Sequence, residues 1–319
     1  TPKTSSAASD VYKRQVRIIS MITGSIVALI TPMKFGSCEI DWESLEKLID
    51  WHYQNQTDAI VVVGTTGESS TLSFAEHKKV IEQAVKYSSG KIPIIAGTGA
   101  NSTVEAIELT RSASEAGADA CLLVTPYYNK PSQEGLFRHY QEIAKKVSIN
   151  QILYNVPSRT ACDLHSETVI RLSKFENIVG IKEATGDLNR LIFMKKHCDD
   201  NFAFYSGDDE TACEFILNGG HGDISVTANL DPGRMYRLCN AALNGDVDLA
   251  RKINGELEKL HKILFVESNP IPVKYAASCL GLTENVLRLP LTCITESKQN
   301  DIKLESVSYT HLRAHETPI

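Results

Sequence analysis

The chain has 319 residues, 42% of them apolar and 23% charged, with a formal net charge of −6; this suits a globular protein with room for one α/β barrel of about 250 residues plus extensions. No Lys/Arg-rich run marks a nucleic-acid surface, and no apolar run approaches the roughly 18 residues of a membrane span, so neither partner is expected. The eight cysteines are scattered, without a C-x-x-C pair or a histidine at finger-like spacing, and are read as buried or partly buried thiols, not as a disulfide framework or metal site.

The ends lack helical or strand periodicity, and 1–20 and 306–319 are expected to be non-native or disordered segments. Lys13, Arg14 and Arg17 precede an apolar stretch over 18–30 that imitates a secretory leader. Gly24 and Ser25 interrupt it, and Thr31-Pro32 stands where a small-x-small cleavage site is needed, so the stretch is read as a first strand over 26–30. Asp41 then caps a helix with Trp42, Leu45, Leu48, Ile49 and His52 on one face. A strand over 59–63 runs into Gly64-Thr65-Thr66-Gly67-Glu68, and Ser73 with Glu76 forms a capping box before Val80, Ile81 and Ala84. Strand 92–96 ends at Gly97-Thr98-Gly99, and Ser102 or Thr103 opens a helix containing Ala106, Ile107 and Leu109. Strand 120–124 leads to Thr125-Pro126-Tyr127-Tyr128, strand 151–154 to Asn155-Val156-Pro157, and strand 178–182 ends on Lys182-Glu183. Strands over 202–206 and 223–226 complete the series, followed by helical patterns over 247–264, 272–280 and 295–305.

Eight strand–helix units predict a parallel sheet, and eight close most naturally into a (β/α)8 TIM barrel. The barrel is expected over 21–245, with a C-terminal helical appendage over 246–305; a doubly wound open sheet is the other arrangement compatible with the pattern.

In such a barrel the loops after the strands build the site. Lys182 is then a strand-end amine in an apolar mouth, which favours the neutral, nucleophilic form of a lysine; the competing expectation is a snorkelling lysine paired with Glu183. Tyr154 ends the preceding strand, about 4.8 Å away, and is placed to relay protons or simply to be half-buried. Thr65 and Thr66, between glycines, offer N–H groups and hydroxyls to a small carboxylate, or cap the next helix. Arg159 matches a carboxylate bidentately, or forms a surface salt bridge. Gly97-x-Gly99-x-x-Ser102 lacks the third glycine of a dinucleotide fingerprint, and Asp208 and Asp209 would repel a phosphate at the usual barrel phosphate site. His77, His139 and His221 are read as structural or interfacial.

The motifs together carry a resemblance. Gly-Ser-Ile-Val-Ala from Gly24, Gly-Thr-Thr-Gly-Glu-Ser from Gly64, Ile-Ala-Gly-Thr-Gly-Ala-Asn from Ile95 and Val-Thr-Pro-Tyr-Tyr-Asn-Lys-Pro-Ser-Gln-Glu-Gly from Val124 are four of them. Leu-Tyr-Asn-Val-Pro-Ser-Arg-Thr from Leu153, Gly-Ile-Lys-Glu-Ala from Gly180 and Asn-Pro-Ile-Pro-Val-Lys from Asn269 complete the set. From about Met21 to Glu305 the chain resembles the dihydrodipicolinate synthase branch of the pyruvate-dependent class I aldolases. The resemblance implies a Schiff-base nucleophile at Lys182 and a proton relay of Tyr154, Thr65 and Tyr128, the last reaching into a neighbouring subunit's site. It implies pyruvate-carboxylate binding at Thr66, an aldehyde-carboxylate anchor at Arg159, and pocket residues Gly207 and Ile224. The implied reaction joins pyruvate to L-aspartate 4-semialdehyde in lysine and diaminopimelate biosynthesis, in the cytoplasm, without metal or cofactor; a sister aldolase acting on a sugar acid shares the lysine and tyrosine but usually not the Ser-Arg-Thr segment. The implied assembly is a homotetramer of two tight dimers. Relatives that are inhibited by L-lysine bind it at positions matching Ser69, Ser70, His77, Asn101, Glu105 and Tyr127. Phe74 stands near that site where relatives carry a histidine.

Overall fold

A computed structural model describes residues 21–313. The expected leader over 1–20 and the last six residues lie outside the described part. Eight strands, β1 (Gly24–Ala28), β2 (Ala59–Val62), β3 (Ile94–Gly97), β4 (Ala120–Val124), β5 (Gln151–Asn155), β6 (Ile178–Glu183), β7 (Ala203–Ser206) and β8 (Gly222–Ser225), each pair in parallel with the next. β8 pairs back onto β1, with Gly24 opposite Gly222 and Val27 opposite Ser225, so the sheet closes and the open-sheet arrangement is excluded. Between and after the strands run α1 (Trp42–Gln54), α2 (Phe74–Ser88), α3 (Thr103–Ala116), α4 (Gln133–Lys146), α5 (Pro157–Thr160), α6 (Ser166–Leu172), α7 (Leu188–Lys195), α8 (Ala212–Leu217) and α9 (Pro232–Leu243). An appendage follows: α10 (Val247–Ile263), α11 (Ile271–Cys279) and α12 (Glu296–Arg313), the last continuing past residue 305, where the sequence pattern fades.

Alternation along each strand divides the apolar side chains between two compartments. Ile26, Ala28, Val61, Ile95, Leu122, Ile152, Tyr205 and Ile224 fill the barrel. Val27, Ile60, Val62 and Ile94 face outward and pack on helices. Burying each large aliphatic chain is worth about 1.5–3 kcal/mol, so both layers are needed to hold the closed sheet.

Strand limits shift from the apolar runs for local reasons. Gly24 and Ser25, which break the apolar run, belong to β1: Gly24 N donates to His221 O at 2.9 Å, and a Cβ at Gly222 would stand 2.2 Å from Gly24 O, so these glycines let the barrel close. β1 ends at Ala28, and Ile30 N donates to the Asn229 side chain at 3.0 Å. β3 starts at Ile94 because Pro93 has no N–H to give a ladder. The helix caps follow the sequence: Asp41 accepts from Ser44 N, Ser73 and Glu76 form the reciprocal box, and Ser102, not Thr103, caps α3. All eight cysteines are free, and Cys293 is exposed, contrary to the expectation of burial.

Candidate active site at the carboxyl end of the barrel

Tyr154 and Lys182 stand side by side because β5 and β6 pair with these two residues in register. Both are buried, at 7% and 5% exposure, and Lys182 Nζ lies 4.5 Å from the centre of the Tyr154 ring. Gly207, just after β7, closes the other side: a Cβ there would fall 2.7 Å from Lys182 Cε and 3.0 Å from Cγ, so only glycine leaves space for the lysine stem. Glu183 does not pair with Lys182. Strand alternation turns it outward, where it accepts from Arg190 Nε at 3.0 Å and Thr185 N at 3.0 Å. The amine is left facing the barrel mouth.

A cavity of about 220 Å³ opens above it, lined by Lys182 and Tyr154 with Thr65, Thr66, Arg159 and Gly207. Thr65 and Thr66 sit in a turn closed by Glu68 N to Thr65 O (3.1 Å) and tied to the segment after β1 by Thr31 Oγ1 donating to Gly67 O (2.7 Å). Val63 and Glu68, on either side, have φ of 48° and 56°. Arg159 lies on the short α5, started by Pro157 at its first turn, and has no ion-pair partner among the described residues, so it is not a surface salt bridge. Ile224 lies deeper, inside the barrel core, and does not line the cavity. Asp208 lines it, while Asp209 is buried and caps the turn after β8, accepting from Val226 N and Thr227 N at 3.0 Å each.

A second cavity, about 290 Å³, shares Thr65, Val156 and Arg159 with the first as a common wall. Ser69, Ser70, His77, Glu105 and Tyr127 line it. Asn101 does not; its side-chain amide donates to Tyr127 O at 3.2 Å, and its own carbonyl accepts from Asn129 Nδ2 at 2.9 Å, so it braces the Tyr127 loop. His77 Nε2 is 2.7 Å from Gly97 O, and burial holds its pKa below the usual histidine value. Burial raises the Tyr127 hydroxyl pKa, and the Glu105 charge adds to this. Phe74 is not part of the lining; Lys78 Nζ lies 4.5 Å above its ring. Tyr128 lines neither cavity and is 89% exposed, at φ 75°. Gly97 and Gly99 serve close packing: a Cβ at either would stand 2.4 Å from Val63 O or 2.3 Å from Val124 N.

Comparison with known proteins decides the family. Residues 21–306 match the dihydrodipicolinate synthetase family. This chain belongs to that family. It is 60% identical over 279 residues to the 4-hydroxy-tetrahydrodipicolinate synthase of Alcanivorax borkumensis, covering 88% of this chain and 95% of that one. Among solved structures, the chloride-inhibited dihydrodipicolinate synthase of Acinetobacter baumannii, complexed with pyruvate, is similar at 52% identity and a TM-score of 0.88, covering 90% of this chain and 99% of that chain. The Cyanidioschyzon merolae enzyme with lysine bound is similar at 36% identity and a TM-score of 0.88, covering 91% and 98%.

For this synthetase-family chain the sequence reading missed part of the first cavity. Phe265 and Asn269, both from the segment between α10 and α11, line it, as does Ser158. Asn269 lay in a quoted motif, but its distance in sequence from the barrel strands hid its place.

Proposed function

We propose that this protein condenses pyruvate with L-aspartate 4-semialdehyde to 4-hydroxy-tetrahydrodipicolinate, in lysine and diaminopimelate biosynthesis. The observation that carries this is Lys182 beside Tyr154 in a cavity that also presents Thr65, Thr66 and Arg159, in a chain of this family. Lys182 Nζ attacks the pyruvate ketone carbon, water leaves, and an iminium forms. Loss of a methyl proton gives the enamine, which attacks the aldehyde carbon. The product's amine then displaces the lysine by transimination and closes the ring. The iminium is the electron sink, so no metal or organic cofactor is invoked.

Tyr154 and Thr65 serve as the proton relay, with Tyr128 supplied from a neighbouring subunit, which fits its exposure in the single chain. Thr66 and the turn N–H groups bind the pyruvate carboxylate, Arg159 receives that of the aldehyde, Gly207 admits the lysine, and Ile224 packs in the barrel core beneath the cavity without lining it. The sister reading, a sugar-acid aldolase, has no observation in its favour: Arg159 lines the cavity, and the relatives named above are synthases. No described helix is long and apolar enough to cross a membrane, and a cytoplasmic homotetramer is the proposed state. L-lysine is the proposed inhibitor, bound in the second cavity.

Borohydride with pyruvate is expected to fix a reduced pyruvyl group on Lys182, read by peptide mass, and a coupled assay with both substrates is expected to show turnover. An adduct on another lysine, or none, sinks the mechanism; turnover only with sugar-acid substrates sinks the substrate assignment.

A further inference from the structure

The turn carrying Thr65 and Thr66 is held from outside the barrel. Its flanking residues, Val63 at φ 48° and Glu68 at φ 56°, occupy the left-handed region, which is costly for non-glycine residues and most costly for a β-branched one. Such a conformation persists only where surrounding contacts enforce it. At Glu68 these contacts come largely from the C-terminal appendage. Lys274 Nζ, on α11, donates to Glu68 Oε1 at 2.5 Å and to Val286 O at 2.6 Å, with both side chains fully buried. Arg288 N donates to Glu68 Oε2 at 3.3 Å, and the Arg288 guanidinium donates to Thr71 O at 3.3 Å while pairing with Glu76 at 2.7 Å. Asn269 Nδ2 donates to Thr66 Oγ1 at 3.0 Å.

A fully buried ion pair is a poor device for stability, since desolvation offsets most of the attraction and apolar replacements of similar volume are often neutral or stabilising. Its location points to another use. Glu68 is the last residue of the turn whose threonines line the same cavity as the amine, and the lysine that fixes it lies more than 200 residues along the chain.

We propose that Glu68 and Lys274 are a positioning pair: by locking Glu68, the left-handed residue at the end of the 65–68 turn, to α11, they hold the Thr65 and Thr66 hydroxyls in register with Lys182. The inference rests on the proposed function. It makes the appendage part of the construction of the active site, although neither residue lines the cavity.

The test is the double variant Glu68→Leu, Lys274→Met, which removes both charges while keeping the volume apolar. It is expected to melt at or above the parent temperature and still to form the borohydride adduct on Lys182. Half-saturating pyruvate for trapping should rise about tenfold, and kcat should fall about 10- to 100-fold, the cost of a displacement of about 1 Å. A folded double variant with parental kcat and parental pyruvate dependence overturns the proposal. If the double variant does not fold, the isosteric Glu68→Gln, which leaves Lys274 unpaired and is expected to melt lower, is assayed well below its own melting transition: a tenfold loss of kcat with the adduct still forming on Lys182 supports positioning, and unchanged kcat overturns it. Failure of the parent itself to turn over both substrates counts against the proposed function, and the positioning role is then read from the pyruvate dependence of trapping alone.

Discussion

Replacing Gly207 by alanine sets a methyl group 2.7 Å from the Lys182 stem and 2.8 Å from Ala184 Cβ, so the lysine must move or the strand must shift. Borohydride trapping on Lys182 is expected to slow at least about tenfold, since near-attack geometry is lost by small displacements; parental trapping kinetics in Gly207→Ala would mean the stem reroutes freely. Arg159 acts at a different step. Arg159→Ala is expected to spare pyruvate trapping and to lower kcat/KM for the aldehyde about 100-fold, roughly 2.7 kcal/mol at 1.36 kcal/mol per decade. Steady-state kinetics with both substrates varied check this, and equal losses for pyruvate and aldehyde would move Arg159 out of its assigned role. At this scale the strand-end residues were legible, because a parallel barrel turns every such residue toward one rim. Glu183 shows the limit. Its sequence neighbour is Lys182, yet period-two alternation sends the two side chains to opposite faces, and the partner it found, Arg190, comes from α7.

Among elements, the loop between β4 and α4 carries two tyrosines with opposed surroundings. Tyr127 lines the second cavity, braced by Asn101, whereas Tyr128 is exposed. Tyr128→Phe is expected to lower kcat without changing the oligomer observed by sedimentation, and an active monomer would remove the shared relay. Glu105, at the start of α3, is the second cavity's carboxylate. Glu105→Thr is expected to abolish inhibition by L-lysine at unchanged basal rate, tested by titrating lysine against initial rate at saturating substrates; a parent enzyme indifferent to high millimolar lysine would leave that cavity without a ligand. The helices were readable from their caps, as with Asp41, Ser73 and Glu76, because a cap is a contact between residues three apart. The anchors of the 64–71 segment were not readable, because Lys274 and Arg288 act across more than 200 residues, where spacing carries no signal.

For the whole molecule, buried histidines set the acid limit. Burial depresses the pKa of His52 to about 3 and His139 to about 4, and lowers His77 and His261 as well. A base whose folded pKa lies below its unfolded value near 6.5 contributes stability that is intact above 6.5 and lost as pH falls toward the folded value, because only the unfolded chain takes up the proton. Each such histidine adds a slope of up to about 1.4 kcal/mol per pH unit in that window. The melting temperature is therefore expected to start falling below pH 6.5 in a scan from pH 8 to 4.5, the four rings outweighing Asp58, whose carboxyl burial raises to about 6 and which acts in the opposite sense below that pH. A flat Tm down to pH 5 would show that these rings are hydrated or protonated in the fold.

The closure of β8 on β1 also has a meaning for biosynthesis. Gly24 and its partner Gly222 are separated by nearly the whole barrel, and Asn229, just beyond, both accepts from Ile30 N and donates to Ala28 O. At about 5–20 residues per second, the ribosome delivers the partner of β1 roughly 10–40 s after β1 itself. Through that interval β1 presents an unsatisfied strand edge to every other nascent chain nearby. Ribosome-arrested chains ending before residue 222 are expected to remain open to protease along their whole length, with resistance arriving in one step as the eighth strand emerges.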